Sequence, residues 1–111
     1  MLEEKDFKAK CDKVYNAIMD AFEEVDPDEA EAFFHLDNIT ITFKNGTRFI
    51  VNRQTPVRQI WLATKKQGLH FVFDDASKTW ISDKTSKEFF QTLSEEISSE
   101  MGQNFNFSFS N

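Results

Sequence analysis

"NITITFKNGTRFIVN", residues 38–52, carries the pattern that decides the fold. Ile39, Ile41 and Phe43 alternate with Thr40, Thr42 and Lys44, which is the period of a strand with one buried face. Asn45-Gly46 then interrupts the run, and Phe49 and Val51 resume the same apolar parity. Asn-Gly between two alternating runs predicts a β-hairpin closed by a two-residue turn with positive φ at both central positions.

Reading outward from this hairpin extends the sheet. "VRQIWLAT" places Ile60 and Leu62 on one face and Gln59, Trp61 and Ala63 on the other. After a turn at "KKQG", "LHFVF" groups Leu69, Phe71 and Phe73; "DDASK" is a further turn and "TWIS" a further short strand. Upstream, Phe7, Cys11, Val14, Tyr15, Ile18, Phe22 and Val25 recur at steps of three and four, so residues 2–25 read as an amphipathic helix. Pro27 stops it. Downstream, Phe89, Phe90, Leu93, Ile97 and Met101 have helical spacing after Ser86; Asp83 or Thr85 suits the N-cap, and Gly102 the end. Phe105, Phe107 and Phe109 alternate in the last segment, which is expected to lie against the body of the protein.

The order is helix, five or six short strands joined by tight turns, helix. Consecutive hairpin connections give an antiparallel meander, with the helices covering one face and water the other. The expected fold is therefore α+β, a two-layer α/β sandwich formed by residues 1–111 as one domain.

Charge is distributed unevenly. The chain has a net charge of −6, yet "DAFEEVDPDEAE", residues 20–31, holds seven carboxylates and no Lys or Arg, so the remainder comes to about +1. Without a basic stripe, nucleic acid is disfavoured as a partner, and so is an anionic membrane surface. No apolar run reaches the roughly 20 residues of a membrane-spanning helix. The single Cys11 cannot form an internal disulfide, and the N-terminus has neither signal nor transit character; a cytoplasmic location is expected.

Catalytic material is scarce. Cys11 belongs to the apolar stripe of the first helix and reads as a buried, inert thiol. His35 and His70 lie on predicted strands without a neighbour that suggests a dyad, and there is no Gly-rich phosphate loop. The expectation is a protein that is not an enzyme. Asp26 and Asp28 match the first and third positions of a calcium loop, but Ala30 and Glu31 fall where a ligand and the obligatory glycine belong, so it is not an EF-hand. Asp20, Glu23, Glu24, Asp26, Asp28, Glu29 and Glu31 remain as an open, oxygen-only array, suited to weak and exchangeable binding of hard cations. Acids at a helix C-terminus oppose the macrodipole, so a solvated helix end alone accounts for them poorly. Trp61, on the outward face beside Gln59 and near Thr40, Thr42, Asn52 and His70, is a candidate contact for another protein, or a cover for the sheet.

The run "ITITFKNGTRFIVNRQTPVRQIWLATKKQGLHFVF", residues 39–73, resembles the frataxin family, in particular its bacterial members. Asn52-Arg53-Gln54, Pro56, Gln59 and Ile60-Trp61-Leu62-Ala63 carry the likeness, and the acidic first helix and the "TSKEFFQTLSEEI" segment extend it along the whole chain. The resemblance implies two helices packed on one face of an antiparallel sheet. It also implies a role in iron–sulfur cluster assembly, with ferrous or ferric iron held weakly on an acidic ridge that corresponds here to Asp20, Glu23, Glu24, Asp26, Asp28, Glu29 and Glu31. The ridge would dock a cysteine desulfurase through Glu23, Glu24 and Asp28, and the sheet surface with Asn52, Gln59 and Trp61 would meet the scaffold protein. The expected state is a monomer, with oligomers induced by iron. The rival reading is an interaction module without a physiological metal; ferroxidase-like chemistry ranks last, because a buried Glu-x-x-His motif is absent. One departure from the family pattern is the first strand, "AFFHLD", where Phe33 and Phe34 stand in place of acids and only Asp37 is acidic.

Overall fold

The computed structural model describes residues 2–107. Helix α1 spans Glu4–Glu23 and helix α2 Phe89–Met101. Between them run β1 (Ala30–His35), β2 (Asn38–Phe43), β3 (Arg48–Gln54), β4 (Gln59–Ala63), β5 (Gly68–Asp74) and β6 (Thr79–Ser82). Every neighbouring pair is antiparallel, and spatial order equals chain order. This is the expected α+β sandwich, with six strands. No helix among the described residues is long and apolar enough to cross a membrane.

The predicted parity holds across the sheet. Ile39, Ile41, Phe43, Phe49, Val51, Ile60, Leu62, Leu69 and Phe71 are buried beneath the helices. The α1 stripe of Phe7, Cys11, Val14, Tyr15, Ile18 and Phe22 is buried against them. Ring contacts bridge the layers, Phe7 with Trp80 at 5.9 Å and Phe71 with Phe89 at 5.1 Å between centroids. Full burial of each such side chain is worth about 1.5–3 kcal/mol, so this one layer accounts for most of the favourable folding energy.

One turn closes differently from expectation, and another cuts short the expected first strand "AFFHLD". At Asn45-Gly46 only Gly46 has positive φ, at 89°. Gly46 N–H donates to Phe43 O and Phe43 N–H to Thr47 O, each over 2.8 Å, which is a three-residue loop ending in a glycine bulge. Asn45 instead spends its side chain on the Thr47 N–H, at 2.9 Å. The two-residue turn with both φ positive occurs one hairpin earlier, at Leu36 (49°) and Asp37 (69°), between the paired His35 and Asn38. The second helix also begins later than its apolar spacing suggested, because residues after β6 stay tied to it. Ser82 N–H donates to Lys87 O, and Ile81 bridges Glu88. Neither Asp83 nor Thr85 caps α2; Glu88 does, its carboxylate accepting from the Phe90 and Gln91 N–H groups.

The C-terminal segment lies on the helices as expected. Ser98 Oγ donates to Phe105 O and accepts from Phe105 N–H, at 3.1 and 2.9 Å. The Phe105 ring meets Phe22 of α1, and Phe107 meets Phe90 of α2. Phe109 lies outside the described residues.

Candidate functional site

Helix α1 runs out at Glu23, with Glu24 as C-cap and no basic residue in the last turn. Asp20, Glu23 and Glu24 share one side at steps of three and four. Asp26 then closes a tight turn, its carboxylate accepting the Asp28 N–H at 2.9 Å and its carbonyl accepting Glu29 and Ala30 N–H. Asp28 is exposed on that turn, Glu29 is half-buried at its end, and Glu31 is exposed on β1. The structure therefore gathers all seven carboxylates at one end of the molecule. Among the described residues none of them enters an ion pair.

They do not form a coordination sphere. Among the described residues no group of three or more His, Cys, Asp or Glu is close enough to hold a metal ion. The donors are oxygen-only and solvent-facing, so they fit a hard cation bound weakly through mobile side chains and water, and not a caged ion.

On the open face of the sheet, Asn52, Trp61 and His70 stand side by side on β3, β4 and β5. The half-buried Trp61 ring stacks on His70 with centroids 4.2 Å apart and planes 9° from parallel. Its Nε1–H donates to Gln59 Oε1 at 2.8 Å, which fixes the indole on the surface. Thr40 and Thr42 share this face but are farther away than alternation suggested, paired toward Ile50 and Arg48. The strand pairing separates them from Trp61 because β3 lies between β2 and β4.

The sequence reading missed Arg53. Phe49, Val51 and Arg53 share parity, so this guanidinium points to the helix side of the sheet. There it donates to Asp37 Oδ1 and Oδ2, at 2.7 and 3.1 Å, and to Asp12 Oδ1 of α1 at 3.0 Å, over the Tyr15 ring. Tyr15 OH donates to Asp37 O at 2.7 Å. The Arg53 hydrogen bonds hold the Asp37 carboxyl below the usual range. A cation at a core-facing parity was the available signal. Cys11 is fully buried nearby, and burial pushes its thiol up to about 12. It is not a nucleophile at neutral pH.

Comparison with known proteins places this geometry. The frataxin-like domain family matches residues 1–103. The chain is 48% identical over 69 residues to the "Iron-sulfur cluster assembly protein CyaY" of Variovorax paradoxus, a match that spans 62% of this chain and 61% of that protein. It is 32% identical over 110 residues to the protein of the same name from Pseudomonas fluorescens, covering 96% of each. Among solved structures, frataxin from Psychromonas ingrahamii superposes with a TM-score of 0.87 at 29% identity, over 97% of this chain and all of that one. Trimeric yeast frataxin complexed with ferrous iron shares the fold, with a TM-score of 0.69 at 21% identity over 93% of this chain and 89% of that one. With its meander of six strands, its two covering helices and a family match along nearly its whole length, this chain belongs to the frataxin-like family.

Proposed function

We propose that this protein is a non-enzymatic, iron-binding accessory of iron–sulfur cluster assembly in the cytoplasm. In this reading it acts as iron donor or sensor and as regulator of a cysteine desulfurase. The observation that carries the proposal is the run of carboxylates at residues 20–31, which form no ion pair among the described residues, in a chain of this family. Relatives named for iron–sulfur cluster assembly and a neighbour complexed with ferrous iron support the direction. Iron is cargo here, held weakly at Asp20, Glu23, Glu24, Asp26, Asp28, Glu29 and Glu31. The desulfurase presents a basic surface to Glu23, Glu24 and Asp28, and the scaffold protein meets the face with Asn52, Gln59 and Trp61. Open carboxylates steer a cationic partner at long range and release it when salt screens them.

A second reading has one observation in its favour. Since no three-ligand cluster exists among the described residues, the acids can serve a basic protein patch alone, with no physiological metal. An anaerobic titration of ¹⁵N-labelled protein with Fe²⁺, beside Mg²⁺ and Ca²⁺, separates the two. Broadening confined to residues 20–31 with iron, and much weaker with the others, is expected. Equal, weak responses to all three ions would remove iron from the proposal and leave the docking surface.

A further inference from the structure

The two edges of the sheet are protected very differently. Strand β6 is four residues long, flanked by Lys78 and Lys84, and its outer side is bridged by the Lys87 and Glu88 backbone. Strand β1 has six residues, "AEAFFH", without Lys, Pro or a break in register. Native sheets normally blunt a free edge with such devices, since its unpaired backbone groups are a template for another strand. Here the edge instead exposes Phe33 at 53% and Phe34 at 54%, continued by Leu36 at 81% on the left-handed turn.

The turn fixes which backbone groups are free. In a two-residue hairpin the residues flanking the turn exchange both hydrogen bonds, and such pairs recur at every second position. His35–Asn38, Phe33–Thr40 and Glu31–Thr42 are therefore the bonded pairs. The Lys44 N–H donation to Glu29 O, at 3.0 Å, continues the same phase. Ala32 and Phe34 thus aim both N–H and C=O outward, and neither has a partner among the described residues. Alongside lies a groove of about 300 Å³ between the end of α1 and β1, lined by Met19, Phe22, Val25 and Ala32, with Glu23 and Glu31 beside them. An apolar floor with carboxylates and no cation suits an aliphatic stem ending in a positive charge.

We propose that the β1 edge accepts an extended, basic segment of a partner protein as a seventh strand. Backbone pairing at Ala32 and Phe34 supplies the register. A Lys or Arg opposite Ala32 lays its stem in the groove toward Glu23, and the next, apolar residue of the same segment, on the other face of the sheet, covers Phe33. Charge decides the occupant. A second copy of this chain would offer its own β1, "AEAFFH", which has no Lys or Arg to set in the groove. The proposal rests on the reading of residues 20–31 as a surface that recruits cations, and it adds main-chain pairing to that surface.

The test is amide hydrogen exchange at Ala32 and Phe34. It is followed with a synthetic peptide alternating Arg and Val, and separately with purified cysteine desulfurase. At least tenfold slowing at both amides is expected with either. Ala32→Pro removes an outward N–H, a substitution tolerated on edge strands, and should weaken capture of both probes at least tenfold while leaving the remaining amide spectrum intact. Desulfurase bound with unchanged exchange at both amides would overturn the edge assignment and leave the acidic docking surface standing. Peptide protection without desulfurase binding would sink the proposed partner and keep the edge. Protection that arises in the free protein as its concentration rises would identify a second copy as the occupant and overturn the proposal. The exchange measurement on the unaltered protein decides the matter even if the proline variant fails to fold.

Discussion

Asp12 and Asp37 share one guanidinium, whereas among the described residues the seven carboxylates of residues 20–31 pair with no cation. Both groups border α1, and all nine side chains have the same chemistry. The first pair is spent on structure: Arg53 ties the middle of α1 to the β1–β2 turn and holds Asp37 in its left-handed conformation. In the second set Asp26 closes a turn onto the Asp28 N–H, but Asp20, Glu23 and Glu24 oppose the helix macrodipole and the group repels itself. Where a cation is built in, the acids hold the fold; where it is withheld, they remain available to something outside the chain.

The contrast breaks most visibly at Arg53, whose side chain is only 13% exposed. Arg53→Ala should cost about 2 kcal/mol in a urea melt, since a forked set of charged hydrogen bonds and the packing of the side chain over Tyr15 are lost. Partner binding should not change. Arg53→Lys should recover only part of that stability, because a lysine cannot reproduce the fork.

Next in size is the charge reversal Glu23→Lys/Glu24→Lys/Asp28→Lys. We expect desulfurase affinity to fall at least tenfold, about 1.4 kcal/mol, by calorimetry at low salt. The fold should gain about 0.5 kcal/mol, since positive charge now meets the helix C-terminus. A collapse of the fold would place these residues in the structural set and erase the contrast.

Acid should act through Asp37. The folded-state pKa of Asp37 is lowered by Arg53, so its contribution is complete above the ordinary carboxylate range and is lost as pH falls through the folded value. Asp37 is well exposed, so the effect is below about 1 kcal/mol. A pH series of melts should show a smaller acid-linked loss in Asp37→Asn than in the wild type, since Glu4, Asp74 and Glu100 are lowered in both. The smallest effect is that of salt on the free protein. Raising ionic strength should slightly raise the melting temperature by screening residues 20–31, while partner affinity falls steeply. An affinity indifferent to salt would point to an apolar docking mode instead.

The hairpin at Asn45-Gly46 was legible, but its closure was not. The dipeptide marks where the chain reverses, whereas the choice between a two-residue turn and a bulged loop depends on register across the whole sheet. Leu36-Asp37 carries no such mark. Leucine in the left-handed region costs about 1–2 kcal/mol, a cost met by Arg53 and Tyr15, which are distant in sequence. The start of α2 shifted for the same reason. Apolar spacing from Ser86 could not reveal that Lys87 and Glu88 were already bonded to β6.

By itself the sequence determined the period of each segment, the face each segment buries, and the concentration of acid at residues 20–31. These follow from side-chain chemistry at fixed steps of two or 3.6 residues. Only the tertiary structure decided which carboxylates have a counter-ion, how Trp61 is held on His70, and which sheet edge is left open. Each of those depends on partners brought together by packing, and no local pattern along the chain encodes a partner forty residues away.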